Sequence, residues 1–269
     1  MDFGGRRVWI TGASSGIGAG LARAFGKAGA ELILSGRKVA ALEAVAEACG
    51  GNARLLPFEA TDLDALPGMV AAAGEIDILV NNAGISQRDL CEDTDMAVYR
   101  TIMEVDFFAP LALTKLVLPG MLARGRGHIA AVASVAGKVG SPQRTGYCAA
   151  KHAVMGFFDA LRTEVEHRGI RVTTIVPGFV QTEIGARALR GDGSVKGAGA
   201  DDVDQGISAD AAAAIILKGL AEGRREIPVG AEGGAEMALL DLKRNDPEAL
   251  FDLMSRMGEA VVRQFGKAA

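Results

Sequence analysis

Val8-Trp9-Ile10, then Thr11-Gly12-Ala13-Ser14-Ser15-Gly16-Ile17-Gly18, then helix-forming residues as far as Gly29: the opening run of this chain reads as strand, glycine turn and helix. The arrangement suits a phosphate, because glycines let the backbone approach an anion and a helix N-terminus offers unpaired N–H groups. The spacing is Gly-x-x-x-Gly-x-Gly rather than the commoner Gly-x-Gly-x-x-Gly. A plain strand-to-helix connection would use the same residues, so the meaning of the turn depends on the rest of the chain.

Beyond Gly29 the chain alternates. Strand-like runs recur at Glu31–Ser35, Ala53–Glu59, Ile76–Val80, His128–Ser134, Ile170–Val176 and Glu226–Val229, with helical stretches between them. That order predicts an α/β protein: a seven-stranded, mainly parallel, doubly wound sheet with helices on both faces. In open sheets of this kind ligands bind at the carboxyl ends of the strands. The second strand ends in Ser35-Gly36-Arg37-Lys38, without the carboxylate that would grip an adenosine ribose 2′-hydroxyl and with two cations that attract a phosphate there. This favours NADP(H) over NAD(H). Asp62, just beyond the third strand, can hydrogen-bond adenine or cap the next helix. The fourth strand closes on Asn81-Asn82-Ala83-Gly84, small enough for a ligand to reach the backbone.

A net charge of −4 over 269 residues excludes the basic surface that nucleic acid needs. No charge-free apolar run approaches the roughly 18 residues of a membrane span, and Met1–Arg7 lacks the apolar run of a signal peptide. The expectation is a cytoplasmic protein with one domain over residues 1–269 and no metal, since its three cysteines and three histidines are scattered.

The chemistry is carried by Gly146-Tyr147-Cys148-Ala149-Ala150-Lys151, inside a helix expected over Gly146–His167. Tyr147 and Lys151 are four apart and share a helix face. An ammonium beside a phenol favours its ionised form, which makes Tyr147 a candidate general acid/base. Cys148 reads as a spectator. Ser134 ends the fifth strand. A long helix is expected over Asp95–Leu122, with Pro110 inside it; proline has no N–H for the Asp106 carbonyl, so a kink and a free oxygen are expected there. Residues 183–206, rich in glycine, read as a mobile substrate segment over the site or as a plain surface loop. Ser208 caps a helix to about Glu222, and 232–265 reads as one or two amphipathic helices.

Together these pieces resemble the short-chain dehydrogenase/reductase family over about the whole chain. Thr11-Gly12-x-x-x-Gly16-Ile17-Gly18 matches its cofactor motif and Asn81-Asn82-Ala83-Gly84 its strand-four motif. Ser134 with Tyr147-x-x-x-Lys151, thirteen residues further on, matches its active site, and Pro177-Gly178 with Thr182 matches the segment beside the nicotinamide. Within the family, Gly137–Phe158 and the tail after Ser208 are nearest in pattern to the group of 11β-hydroxysteroid dehydrogenases and dehydrogenase/reductase member 7 proteins.

The resemblance implies a Rossmann-like domain and hydride transfer between NADP(H) and a small carbonyl or secondary alcohol, with Tyr147 exchanging the proton, Ser134 binding the same oxygen and Lys151 holding the ribose. It implies cofactor contacts at Gly12, Ser14, Ser15, Gly16, Ile17, Gly18, Arg37, Lys38, Asp62, Asn82, Ala83, Gly84, Tyr147, Lys151, Pro177, Gly178, Val180 and Thr182, and a homodimer or homotetramer built through the long helix and the catalytic helix. Two residues depart from the pattern: Glu59 replaces the usual Asp, and Asp106 the usual Asn of the catalytic set. In relatives the main-chain oxygen of that Asn holds a water bonded to the lysine; Pro110 predicts the same water site here. A carboxylate at 106 would stabilise the ammonium and weaken it as a proton relay. Two other readings are a non-catalytic NADP(H)-sensing protein and an NADP-dependent dehydrogenase of a small hydroxy acid. The latter needs a cation in the pocket, for which Arg144 and Arg187 are the candidates.

Overall fold

The computed structural model describes residues 1–265. Its first half alternates β1 (Arg7–Thr11), α1 (Gly16–Lys27), β2 (Glu31–Ser35), α2 (Val39–Ala48), β3 (Ala53–Leu55), α3 (Leu66–Ala73) and β4 (Ile78–Asn81). Helices α4 (Met96–Met103) and α5 (Ala109–Arg124) lead to β5 (Gly127–Val132), α6 (Thr145–Val165) and β6 (Ile170–Pro177). A short parallel pair, β7 (Val180–Gln181) and β8 (Ile207–Ser208), brackets the glycine-rich segment. Then come α7 (Ala209–Glu222), β9 (Glu226–Val229), α8 (Ala235–Asn245) and α9 (Pro247–Phe265).

The main sheet has seven strands in the order β3-β2-β1-β4-β5-β6-β9, every neighbouring pair parallel. Strand residues alternate between two cores. Val8, Ile10, Leu32 and Leu34 face Phe25 of α1, Leu42 of α2 and Ile216 of α7. Trp9, Ile33, Leu79 and Ile129 face Leu113 of α5 and Phe158 of α6, and Leu250 of α9 reaches the same layer. Burying both faces is what makes the strands continuous apolar runs. The chain winds outward from β1 to β3, then crosses back to β4, so the order reverses between β1 and β4 and leaves a crevice at their carboxyl ends.

Three elements differ from the sequence expectation. β3 stops at Leu55 instead of Glu59, because as the edge strand it pairs only with β2. β5 ends at Val132, and Ser134 instead caps a single 3-10 turn, accepting from the Ala136 N–H at 3.1 Å. The long helix opens into a π turn over Glu104–Phe108, just ahead of Pro110; the Ala109 N–H reaches back to the Glu104 carbonyl, and the wide turn absorbs the bond proline cannot make. Met96–Arg124 is thus helical for 29 residues with a mean hydropathy of 1.5 in its most apolar stretch, long and apolar enough to cross a membrane. Ile102, Leu113, Val117 and Met121 are buried in the protein, about a third of the most apolar stretch being covered, while Phe108 and Leu116 are exposed.

His128, on β5, is buried and neutral. The Thr173 hydroxyl donates to the Arg224 carbonyl at 2.7 Å, so His128 Nε2, 2.9 Å from that hydroxyl, carries the hydrogen and Nδ1 is bare. Burial, helped by Arg171, lowers its pKa to about 4. A depressed pKa means that stability is lost as pH falls, because the unfolded chain takes up the proton near the ordinary value of about 6.5. Urea unfolding should therefore show about 2 kcal/mol less stability at pH 5 than at pH 7 from this group. His128→Val should remove that difference; an unchanged pH slope in the variant would assign it elsewhere.

Candidate active site

The glycine turn is shaped for a close approach. Gly12 and Gly16 have φ of +63° and +54°, left-handed values that disfavour side chains. A Cβ on Gly12 would meet Ala83 Cα at 2.8 Å, one on Gly16 would meet Thr182 Cγ2 at 2.9 Å, and one on Gly18 would meet the Gly12 carbonyl oxygen at 2.3 Å. Ser15 is the N-cap of α1 with extended backbone, yet its hydroxyl makes no cap bond, which leaves first-turn amides for a ligand. Ile17 packs against the core behind them. A dinucleotide's phosphates fit this turn: the free amides and the Cβ-less surface are what such an anion requires.

Thr11 and Asn82 lock the turn to β4. Thr11 Oγ1 accepts from the Asn82 N–H at 3.0 Å and the Ala83 N–H at 3.1 Å. Asn82 Nδ2 donates to the Thr11 carbonyl at 3.0 Å and the Gly12 carbonyl at 3.2 Å, so its amide hydrogens hold the cradle together. Other side chains named as cofactor contacts also have partners within the protein. The Val180 side chain is buried in the core, leaving only its backbone. Gly178 is covered by Glu236 of α8, whose Oε1 accepts from the Phe179 N–H at 3.2 Å. Asp62 accepts from the Ala65 N–H at 3.2 Å, capping the turn before α3. Ser35 faces inward, taking the Trp9 indole N–H at 2.8 Å. Arg37 is largely exposed and lies 3.4 Å from Glu59 across the strand ends. Lys38 lines a cavity of about 700 Å³ together with Ser14, Ser15, Gly16, Thr182 and Arg187. This cavity follows the phosphate turn and does not reach Tyr147 or Ser134.

Helix α6 carries Tyr147 and Lys151. Tyr147 is half-buried, and Lys151 Nζ sits 5.6 Å from its ring centroid. Lys151 donates to the Val132 carbonyl at 3.2 Å, which ties α6 to the end of β5 two residues before Ser134. Ser134 Oγ lies 3.4 Å from the Pro177 carbonyl, a long bond that the hydroxyl can exchange for a substrate oxygen. Gly84 approaches the same place: a Cβ there would stand 3.3 Å from both Lys151 Nζ and Asp106 Oδ2.

Asp106 is the main departure. Its buried carboxylate pairs directly with Lys151, Oδ2 to Nζ at 3.1 Å, while Oδ1 accepts from the Ile85 N–H at 2.8 Å. The lysine therefore finds its counter-ion in the side chain of the π turn. Burial pushes the Asp106 carboxyl up, against the pull of Lys151. Burial presses hardest on the Lys151 ammonium, but Asp106 and Tyr147 together outweigh it and the amine is held above its ordinary value.

Four supporting residues carried no sequence signal. Gln87, fully buried, accepts from the Gly146 N–H at 2.8 Å and donates to Thr94 at 2.9 Å, capping the first turn of α6 next to Tyr147. Arg88 and Asp201 form a buried fork, at 3.0 and 2.8 Å, that pins the segment after β7 against the β4 loop. Lys196 joins Asp201 at 3.1 Å, and together these cations draw the Asp201 pKa down to about 2 despite burial. A capped or pinned loop needs only one distant partner, which periodicity cannot show.

Fold and site together define a dinucleotide-dependent oxidoreductase, and the comparisons with known proteins agree. Residues 6–192 match the short chain dehydrogenase family model, and the chain belongs to the short-chain dehydrogenase/reductase family. It is 41% identical over 231 residues to mouse dehydrogenase/reductase SDR family member 7B, covering 82% of this chain and 72% of that protein. A Burkholderia cenocepacia short chain dehydrogenase in complex with NADP superposes with a TM-score of 0.80 at 25% identity, over 94% of this chain and 99% of that one. A Burkholderia phymatum relative in complex with NAD shares the fold at the same TM-score, 22% identity, and coverage of 93% and 96%.

Proposed function

We propose that the protein prefers NADP(H) and moves hydride between the nicotinamide and a carbonyl or secondary alcohol. The observation that carries this is the joining of Tyr147, Lys151 and Asp106 beside the end of β5, with Ser134 capping the turn that follows it. The nicotinamide supplies or takes the hydride; the chain's own groups handle the proton and the oxygen. Tyr147 gives its phenol proton to the oxygen during reduction and takes it back during oxidation. Ser134 Oγ leaves the Pro177 carbonyl to bond that oxygen and stabilise its charge. Lys151 holds positive charge beside the phenol. Arg37 and Lys38 at the end of β2 select the phosphorylated ribose, Arg37 exchanging its exposed pairing with Glu59 for the phosphate. The hydroxy-acid reading loses its support, since Arg144 is bound to Asp202 at 2.7 Å and Arg187 lies at the phosphate turn. Exposed Phe108 and Leu116 on the long helix support a homo-oligomer formed through that face.

Loss of NADPH absorbance, and separately of NADH, across aldehydes, ketones, quinones, steroids and keto acids tests the reading. Turnover is expected with NADPH and at least tenfold weaker with NADH, and Arg37→Asp should reverse the order by placing a carboxylate where the 2′-phosphate would lie. Equal use of both cofactors by both proteins would refute the preference. Tight NADPH binding with no turnover in either direction would favour the sensing role.

A further inference from the structure

The segment leaving β7 returns to the phosphate turn. Thr182 packs on Gly16, where an added Cβ would stand 2.9 Å from its Cγ2. One helical turn comes next, the Arg187 N–H bonding the Glu183 carbonyl at 2.9 Å, and it carries the Arg187 side chain back to the wall of the cavity beside Ser14, Ser15 and Gly16. Arg187 Nη1 lies 3.4 Å from Ser15 Oγ, the N-cap whose hydroxyl caps nothing.

The charges around this cavity are unbalanced in one direction. Lys38, Arg23 and Arg187 line it, and the N-terminus of α1 adds its own positive end. Arg23 is committed to Asp210. The counter-ion of Arg187 among the described residues is Glu183, an i,i+4 pair whose partners are 41% and 61% exposed. A pair this exposed is weak and easily exchanged. A cation held next to a helix N-terminus becomes favourable once an anion sits between them.

We propose that Arg187 is a cofactor-binding residue: its guanidinium closes, fork to oxygen, on the pyrophosphate of the dinucleotide held at the α1 N-terminus, releasing Glu183. The inference rests on the assignment of a nicotinamide dinucleotide to this turn. The pyrophosphate is the favoured group because Arg187 reaches Ser15, the N-cap of α1, whereas Arg37 stands outside this cavity at the end of β2, beside Glu59. The guanidinium's planar pair of donors matches two phosphate oxygens, which an ammonium cannot do. Arg88 and Asp201 anchor the far end of the same segment, so cofactor and substrate segment become mechanically linked.

Fluorescence titration of the protein with NADPH and with NADH, without substrate, tests it. Arg187→Met should raise both dissociation constants by about ten- to a hundredfold, the range of one charge-assisted hydrogen bond, and should flatten their dependence on salt. Arg187→Lys should recover part of the loss, and Glu183→Gln should tighten binding, which a merely structural role for Arg187 would not do. The melting temperature of the free protein should not change in Arg187→Met, because the side chain is half-exposed. Unchanged dissociation constants would overturn the proposal. So would a loss confined to NADPH, which would move Arg187 to the 2′-phosphate. Failure of the unsubstituted protein to bind either dinucleotide would instead overturn the cofactor assignment beneath it.

Discussion

Tyr147→Phe is expected to lower kcat by about 10²- to 10⁴-fold, the usual contribution of a positioned proton donor, while leaving the NADPH dissociation constant nearly unchanged. The phenol stands on the α6 face that Lys151 approaches, with Nζ 5.6 Å from the ring centroid. Phe keeps the ring, its contacts and the ammonium above it, so the variant removes one proton and little else. The cradle that fits the cofactor phosphates is built from Gly12, Gly16, Gly18, Thr11 and Asn82, which lie on other elements and hold one another without this hydroxyl. Single-turnover oxidation of bound NADPH separates the chemical step from binding and product release. Turnover within threefold of the unsubstituted protein would remove Tyr147 from the proton-transfer role and leave Ser134 as the group to test next.

Much of this site is legible in the chain because its parts are local. Thr11 to Gly18 is one strand end and one helix start, and Tyr147 and Lys151 are one helical turn apart. The alternation of strands and helices likewise predicts the parallel sheet, because each strand must be apolar on both faces. What escapes is set by distant partners. Phe58 and Glu59 are as strand-like as Leu55, but the sheet edge gives them no neighbour beyond β2. Gln87 is an ordinary polar residue until Gly146, far along the chain, donates to it. Asn82 reads as a cofactor contact, yet its amide hydrogens go to the carbonyls of Thr11 and Gly12. Residues 183–206 show no apolar period, and their placement depends on Arg88 reaching Asp201. The proline in the long helix is legible as a defect. The π turn that accommodates it, and carries Asp106 to Lys151, is a property of the packed site.

The buried pair made by that turn sets the second large effect. Lys151→Met leaves the Asp106 carboxylate wholly inside the protein with the Ile85 N–H as its remaining partner, and stability should fall by about 3–5 kcal/mol at neutral pH. The pH dependence comes from the directions of the two shifts. Burial raises the Asp106 value, so stability tied to this carboxyl is present in acid and lost as pH rises through its folded value. The Lys151 amine is also raised, Asp106 and Tyr147 together outweighing burial, so its contribution is present below the ordinary lysine value of about 10.4 and is lost as pH rises through the folded value. Urea unfolding of Lys151→Met from pH 5 to pH 9 should therefore show the deficit growing with pH. The double variant Lys151→Met, Asp106→Leu should recover most of it, because no charge is then left buried. Equal stability of single and double variants would mean that water reaches the carboxylate and the pair is not isolated. The same pairing bears on catalysis, since the carboxylate offsets part of the positive field that Lys151 places at the phenol. Asp106→Asn keeps an oxygen for the Ile85 N–H and removes the charge beside Lys151, so the pH profile of activity should differ between the two proteins, and an unchanged profile would place Asp106 outside catalysis.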